Sequence, residues 1–264
     1  MMEHRDSLLK NGFVKIDNFF HPEELEDFKK GATLVRSKPT AFKILMEDGD
    51  NEFFMDYNNW RRYDNIFTLC ANPKILSLIK KLTKSDNCWL MHDDVIIKKG
   101  NLSPETPIHH DRPYFIFKGD LNLSVWIALT KIPKNSSLIM YKKSHLHKDI
   151  FLPKNFKTKN NAQKYNNLDR NLFKEINDNI VQQFDKVDFE MLPGDLIVFF
   201  HKTLHSAKQH SSPEYRKSFV IRYLLDGAKM TQKYYTNVPP YDRQGVQLIE
   251  YGAVPEKYFP RLGF

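Results

Sequence analysis

The run Pro107-Ile108-His109-His110-Asp111-Arg112-Pro113-Tyr114 places an imidazole and a carboxylate two residues apart, at His109 and Asp111. Side chains at i and i+2 of an extended chain leave the same face. One nitrogen and one oxygen donor therefore converge from a single short stretch. A third donor from elsewhere would complete a two-histidine, one-carboxylate set. That set suits non-haem Fe(II) and leaves the opposite coordination positions open for substrates and oxygen. Three histidines are candidates, His201, His205 and His210, all following the apolar run 196–200. Spacing does not choose among them. A His-x-Asp triplet is a weak motif by itself, since a chain of 264 residues with 10 histidines and 32 acidic residues can contain one by chance. The surrounding elements have to decide.

A strand predicted over 89–99, centred on Val95, Ile96 and Ile97, and a loop over 100–107 deliver the chain to His109. The most informative strand lies over 121–131. Leu121, Leu123, Val125, Ile127 and Leu129 form one apolar face. Asn122, Ser124, Trp126, Ala128 and Thr130 form the other, which suits a cavity wall. Further strands are expected over 138–141, 187–191, 196–200 and 218–225, with a tight turn at Pro193-Gly194-Asp195. Before them come a short strand at 13–17, a helix opened by Pro22-Glu23-Glu24, and a helix opened by Asn72-Pro73. In the latter, Ile75, Leu76, Leu78, Ile79 and Leu82 repeat at helical spacing. These helices read as a packing layer without chemistry. Residues 36–62 are mixed and aromatic. The polar stretch 146–186 reads as a surface lid or variable loop, with one helix expected around 172–184. The tail, 226–264, is aromatic and irregular, able to fold over a site mouth. Helices first and then many short strands predict one α+β domain over 1–264, mainly β, as a jelly-roll barrel. Such a barrel brings sequence-distant residues to one mouth.

Composition narrows the class. A hydrophobic share of 41% is ample for a core, and no apolar run approaches the length of a membrane span. The N-terminus lacks the apolar region of a secretory signal. Two cysteines are too few for a disulfide framework, which points to a reducing, cytoplasmic setting. The net charge of +8 is spread diffusely rather than along one basic helix, so nucleic acid is not the expected partner. An anionic small-molecule substrate is.

Several ordered motifs together carry a family resemblance. His109-His110-Asp111, the strand Ser124-Val125-Trp126-Ile127-Ala128-Leu129, the run Leu192-Pro193-Gly194-Asp195 through His201, and Leu204-His205-Ser206 resemble the phytanoyl-CoA dioxygenase family. Arg216-Lys217-Ser218-Phe219-Val220-Ile221-Arg222-Tyr223 is similar to its closing strand, and Gly12-Phe13-Val14 through Phe20-His21-Pro22-Glu23-Glu24 to its opening. The likeness spans nearly the whole chain apart from 146–186 and parts of 31–60. It implies a double-stranded β-helix holding Fe(II) and 2-oxoglutarate and using O2, with His109, Asp111 and His205 as ligands. It also places Arg216, eleven residues after His205, against the far carboxylate of 2-oxoglutarate, a role that suits the planar guanidinium fork. Arg222, on the same strand face as Ser218 and Val220, is the runner-up. Trp126, Ser206 and His110 are implied as further cosubstrate contacts. The family often has Gln at 110 and Ser at 207, where this chain has His110 and Ala207, so its detailed hydrogen bonding differs.

The reaction so implied is hydroxylation of an unactivated C–H bond with release of succinate and CO2. Related halogenases carry a small residue in place of the carboxylate, so Asp111 points away from halogenation. Desaturation or cyclisation in natural-product biosynthesis, and a non-catalytic binding protein of the same fold, are the alternatives. Asn122, Ser124, Trp60, Arg61, Phe115 and Tyr235 are candidate substrate-lining residues.

Overall fold

The computed structural model describes residues 2–101, 105–154, 173–231, 241, 245–247 and 252–264. Its helices sit where capping and periodicity put them. The Glu24 carboxylate reaches back to accept from the His21 amide at 2.9 Å, opening helix Pro22–Ser37, which buries Leu25, Phe28, Ala32 and Val35. The Asn72 side chain accepts from the amides of Lys74 and Ile75, opening Pro73–Thr83 and its buried stripe from Ile75 to Leu82. Several elements went unread in the sequence, among them the short strands Thr106–His109 and His205–Ala207, in stretches read as loops. Helix Met2–Asn11 buries only Leu8. Residues 36–62 contain the hairpin Ile44–Asp48 with Asn51–Tyr57, and helix Asp64–Cys70 follows. Among the described residues no helix is long and apolar enough to cross a membrane.

Eight strands form one antiparallel sheet. Its order is Phe13–Ile16, Leu196–Phe200, Leu123–Ala128, Arg216–Leu225, Cys88–Lys99, Asn51–Tyr57 and Ile44–Asp48, with Arg261–Leu262 added beside Cys88–Lys99. A second sheet runs Lys186–Asp188, Leu138–Tyr141, His205–Ala207, Thr106–His109. From Cys88 onward the chain passes back and forth between the two sheets, which is the winding of a double-stranded β-helix. The protein is mainly β, with helices packed on one side.

The alternation read in 121–131 has a clear physical outcome. Val125 and Ile127 join Phe28, Ile79 and Leu82 in the core between the large sheet and the helices. Trp126 and Ala128 face inward and meet Leu138, Met140 and Ala207 of the second sheet. All six residues of Leu123–Ala128 are buried, so neither face meets solvent.

The turn before Leu196–Phe200 fixes where the downstream histidines fall. Gly194 has φ +93°, and a Cβ there would lie 2.2 Å from the Phe20 carbonyl oxygen. The Asp195 carboxylate locks the turn by accepting from the amides of Asn18 and Leu192, each at 2.8 Å. The described part of the stretch 172–184, residues 173–184, holds not one helix but the strand Phe173–Lys174, paired with Ile150–Phe151, and a four-residue helical turn, Asp178–Val181. The middle of the expected lid, 155–172, lies outside the described residues. The tail is anchored: Val254 and Phe259 pack with Phe115 and Phe117.

Gly194→Ala should lower stability by about 1–3 kcal/mol from the left-handed backbone alone, with the Phe20 clash added. A urea unfolding midpoint equal to that of the native protein would contradict the role given to this turn.

Candidate metal centre

Strand Thr106–His109 pairs antiparallel with His205–Ala207, and the register sets His205 directly opposite His109. One ligand atom from each of His109, Asp111 and His205 lies within 4.8 Å of the other two, and all three residues are buried. Asp111 follows on the turn after the strand, where the Arg112 amide donates to the His201 carbonyl at 3.0 Å and ties the two ligand-bearing segments together.

Backbone carbonyls fix both rings. His109 Nδ1 donates to the Pro107 carbonyl at 2.9 Å, and His205 Nδ1 to the Thr203 carbonyl at 3.0 Å. A proton held on Nδ1 leaves Nε2 as the basic nitrogen, the tautomer a metal requires. Each Nε2 lies 3.8 Å from Asp111 Oδ1. Burial pushes His109 down to about 3 and lowers His205, outweighing the attraction of the Asp111 carboxylate. Burial alone would raise the Asp111 carboxyl, but the Arg222 guanidinium overrides it and holds it well below the usual carboxylate range. Two neutral imidazoles and one ionised carboxylate are the donor set of a divalent cation.

The other candidates separate cleanly. His201 packs edge-on against Phe115, with ring centroids 4.9 Å apart, and its Nε2 has no hydrogen-bond partner among the described residues. His210 Nε2 bonds the Glu214 carbonyl at 2.8 Å. Neither joins the ligand cluster.

Arg216 is buried, with its guanidinium 5.7 Å from the Trp126 ring centroid. Its Nε and Nη1 have no hydrogen-bond partner among the described residues, and burial lowers it to about 10. Directly across the strand pair stands Lys98, also buried and pushed well down by burial and by Arg216. Like charges facing each other across a sheet destabilise it unless an anion lies between them. This pair fits a carboxylate-bearing cosubstrate. Arg222 differs: its Nε donates to Asp94 Oδ2 at 2.9 Å, and its Nη1 contacts Asp111 Oδ2. It is already paired with two acids.

Two residues expected to contact the cosubstrate have other partners. Ser206 alternates away from His205, and its hydroxyl lies 3.5 Å from Tyr141 Oη on the outer face of the second sheet. His110 alternates away from His109, and its Nε2 accepts from the Phe151 amide at 2.9 Å. It anchors the root of the polar insertion. Of the lining candidates, Ser124 donates to Asp111 at 3.3 Å, and Phe115 packs against His201 and the Arg222 guanidinium. Asn122 instead accepts from the Leu225 amide at 3.0 Å, and Arg61 lies over Trp60 and Phe259 as part of the tail contact. Tyr235 lies outside the described residues. Lys98, His92 and Asp94 were missed. The signal was three polar residues of one parity, 92, 94 and 98, within a largely apolar strand.

A double-stranded β-helix with two imidazoles and a carboxylate gathered in its interior is the architecture of the iron- and 2-oxoglutarate-dependent oxygenases. The model of the phytanoyl-CoA dioxygenase family matches residues 8–218, and the chain belongs to that family. It is an iron- and 2-oxoglutarate-dependent oxygenase that uses O2. Among solved structures it is similar to the non-haem α-ketoglutarate-dependent carbocyclase SnoK from nogalamycin biosynthesis, with TM-score 0.77 and 18% identity over 99% of this chain and 96% of that one. The epimerase SnoN, in complex with Fe3+, α-ketoglutarate and nogalamycin RO, gives TM-score 0.76 and 19% identity over 98% and 97%. EctD from S. alaskensis gives 0.70 and 14% over 89% and 80%. No curated protein matches the sequence at a significant level.

The buried imidazoles set a sign for pH dependence in chelator-treated protein. A histidine that ionises near 6.5 when unfolded and near 3 when folded removes stability as pH falls through that window. His92, His109, His110, His201 and His205 all act this way. Asp93 and Asp94, raised by burial to about 7 and about 6, act oppositely and are outnumbered. The urea midpoint should therefore fall between pH 7 and pH 5; an equal or higher midpoint at pH 5 would contradict the neutral rings.

Proposed function

We propose that the protein hydroxylates an unactivated C–H bond of a small-molecule substrate, converting 2-oxoglutarate to succinate and CO2, with residues 1–264 acting as one domain. His109, Asp111 and His205 hold the iron, and Arg216 holds the far carboxylate of 2-oxoglutarate beside Trp126. The observation that carries this reading is the ligand cluster itself, with both imidazoles turned into the metal-binding tautomer by the carbonyls of Pro107 and Thr203. When bound, Fe(II) and 2-oxoglutarate supply the activation of O2 for C–H cleavage.

The protein's own part is placement and exclusion. Three protein donors leave the remaining positions on the ion to small molecules. Arg216 and Lys98 offer positive charge inside a dry barrel, where a carboxylate is held far more firmly than in water. Trp126, Val220 and Ala128 form a buried apolar cluster beside Arg216, which supports exclusion of solvent from that charge. Asp111, a carboxylate rather than a small residue, supports oxygen insertion over halogen transfer. The diffuse charge of +8 supports an anionic substrate. Cys70 and Cys88 are buried free thiols, which supports the cytoplasm as the working compartment.

A second reading, epimerisation or ring closure on the same iron, is supported by the likeness to SnoN and SnoK over nearly the full chain. Mass spectrometry of the product decides between them: a gain of one oxygen marks hydroxylation, unchanged mass epimerisation, and loss of two hydrogens cyclisation or desaturation.

Anaerobic addition of Fe(II) and 2-oxoglutarate should give the visible metal-to-cosubstrate charge-transfer band, and His205→Ala should abolish it. A band unchanged in that variant would reassign the ligand to His201 or His210. Arg216→Ala should raise the 2-oxoglutarate concentration for half-maximal band at least about thirty-fold, since losing one partner of a buried charge pair costs about 2 kcal/mol or more. If Arg222→Ala produces that rise and Arg216→Ala does not, the carboxylate site is misassigned.

A further inference from the structure

The two oxygens of Asp111 live in different surroundings. Oδ1 faces the ligand cluster, 3.8 Å from Nε2 of His109 and of His205. Oδ2 faces away and is taken by two donors, the Ser124 hydroxyl at 3.3 Å and Arg222 Nη1. The same Nη1 donates to Ser124 Oγ at 2.7 Å, so guanidinium, hydroxyl and carboxylate close a three-membered ring of hydrogen bonds. Ser124 accepts from the arginine and donates to the acid, which uses its hydroxyl in both directions.

Arg222 is itself fixed from behind. Its Nε donates to Asp94 Oδ2 at 2.9 Å, and its guanidinium carbon lies 5.0 Å from the Phe115 ring centroid. Strand register explains the assembly: Arg222 stands opposite Ser124 on one side and His92 on the other, and Asp94 lies two residues from His92 on that same inward face. The guanidinium therefore spans two acids, using different nitrogens for each. A lysine ammonium is a point donor and cannot hold both acids in this planar geometry.

We infer that Arg222, oriented by Asp94, is a positioning residue that commits Asp111 to bind the metal through Oδ1 alone. The inference rests on the iron-site reading above. A carboxylate free at both oxygens can take two positions on an ion; here Oδ2 is already satisfied, and turning it toward the metal would strip the largely covered Arg222 and the buried Ser124 of a partner. One coordination position is thereby kept from the protein and left to small molecules. This also explains why Arg222, though inward-facing and cationic, is not the carboxylate receptor: its charge is spent on Asp94 and Asp111, whereas Arg216 has unsatisfied nitrogens.

Co(II) is the probe, since its visible absorption reports coordination number without turnover. Chelator-treated native protein should bind one Co(II), and Arg222→Gln and Asp94→Asn should bind it about 10–100-fold more weakly, the usual effect of removing an outer partner of a ligand. The shape and intensity of the bound-Co(II) spectrum should change in both variants, and Arg222→Lys should not restore it. Ser124→Ala supplies a milder break of the same ring should the others fail to fold by circular dichroism, with a spectral change again expected. A native-like spectrum in every folded variant overturns the inference, even with weaker binding, because lost charge alone would then suffice. His205→Ala is the separate control: failure of native protein to bind Co(II), or native binding by His205→Ala, counts against the metal site itself rather than against Arg222.

Discussion

Antiparallel pairing of Thr106–His109 with His205–Ala207, in the register that sets His205 opposite His109, is the constraint on which the interior depends. A slip of one residue would turn every side chain of the shifted strand to the other face. His205 would then point toward Tyr141 and Ser206 inward, and no nitrogen would meet His109 and Asp111. Several features hold the register. Gly194 and Asp195 fix the entry to Leu196–Phe200. Thr203, whose hydroxyl donates to the Gly12 carbonyl at 2.7 Å, fixes the turn between that strand and His205. Leu138–Tyr141 pairs with the other edge of His205–Ala207, so the short ligand strand is held on both sides.

Charge inside the barrel is distributed unevenly, and the unevenness separates two kinds of arginine. On one closing strand, Arg216 and Arg222 share the inward face six residues apart. Arg222 is surrounded by Asp94, Asp111 and Ser124 and is raised above its ordinary pKa: burial opposes this, and the two acids outweigh it. Arg216 faces Lys98 and is lowered to about 10 by burial. Arg222 is compensated by its acids, whereas Arg216 faces a second cation, Lys98. The barrel is thus compensated beside Asp111 and carries uncompensated positive charge at Arg216 and Lys98.

The helices supply none of these groups, yet they make the arrangement affordable. Ile75, Ile79 and Leu82 from one helix and Phe28 from another cover the outer face of the large sheet. With that face sealed by apolar packing, the inner face can carry buried His92, Asp94, Lys98, Ser124 and Arg216, with Arg222 largely covered beside them. Tyr241, from the C-terminal region, closes a further side through its hydroxyl, 2.8 Å from His92 Nδ1.

What the sequence settled was local. Helical and two-residue periodicity, the Asn72-Pro73 cap, the Gly194-Asp195 turn and the His109-x-Asp111 pair each depend on a few neighbouring residues, and so were legible in the chain alone. Alternation would also have turned His110 and Ser206 outward; the expectation that they meet the cosubstrate came from family likeness and not from their own geometry. Helix Met2–Asn11, with one buried residue, and the hairpin within 36–62, half-buried and mixed in composition, had no periodic signal to read. The residues' own spacing did not separate His205 from His201 and His210, a choice only the family likeness implied. That His205 clusters with His109 and Asp111, that Arg222 pairs with acids and Arg216 does not, and that Lys98 and Asp94 stand beside them came from tertiary structure. Each depends on which strands become neighbours and in what register, and that is fixed by packing between residues up to two hundred positions apart rather than by any residue's own surroundings in the chain.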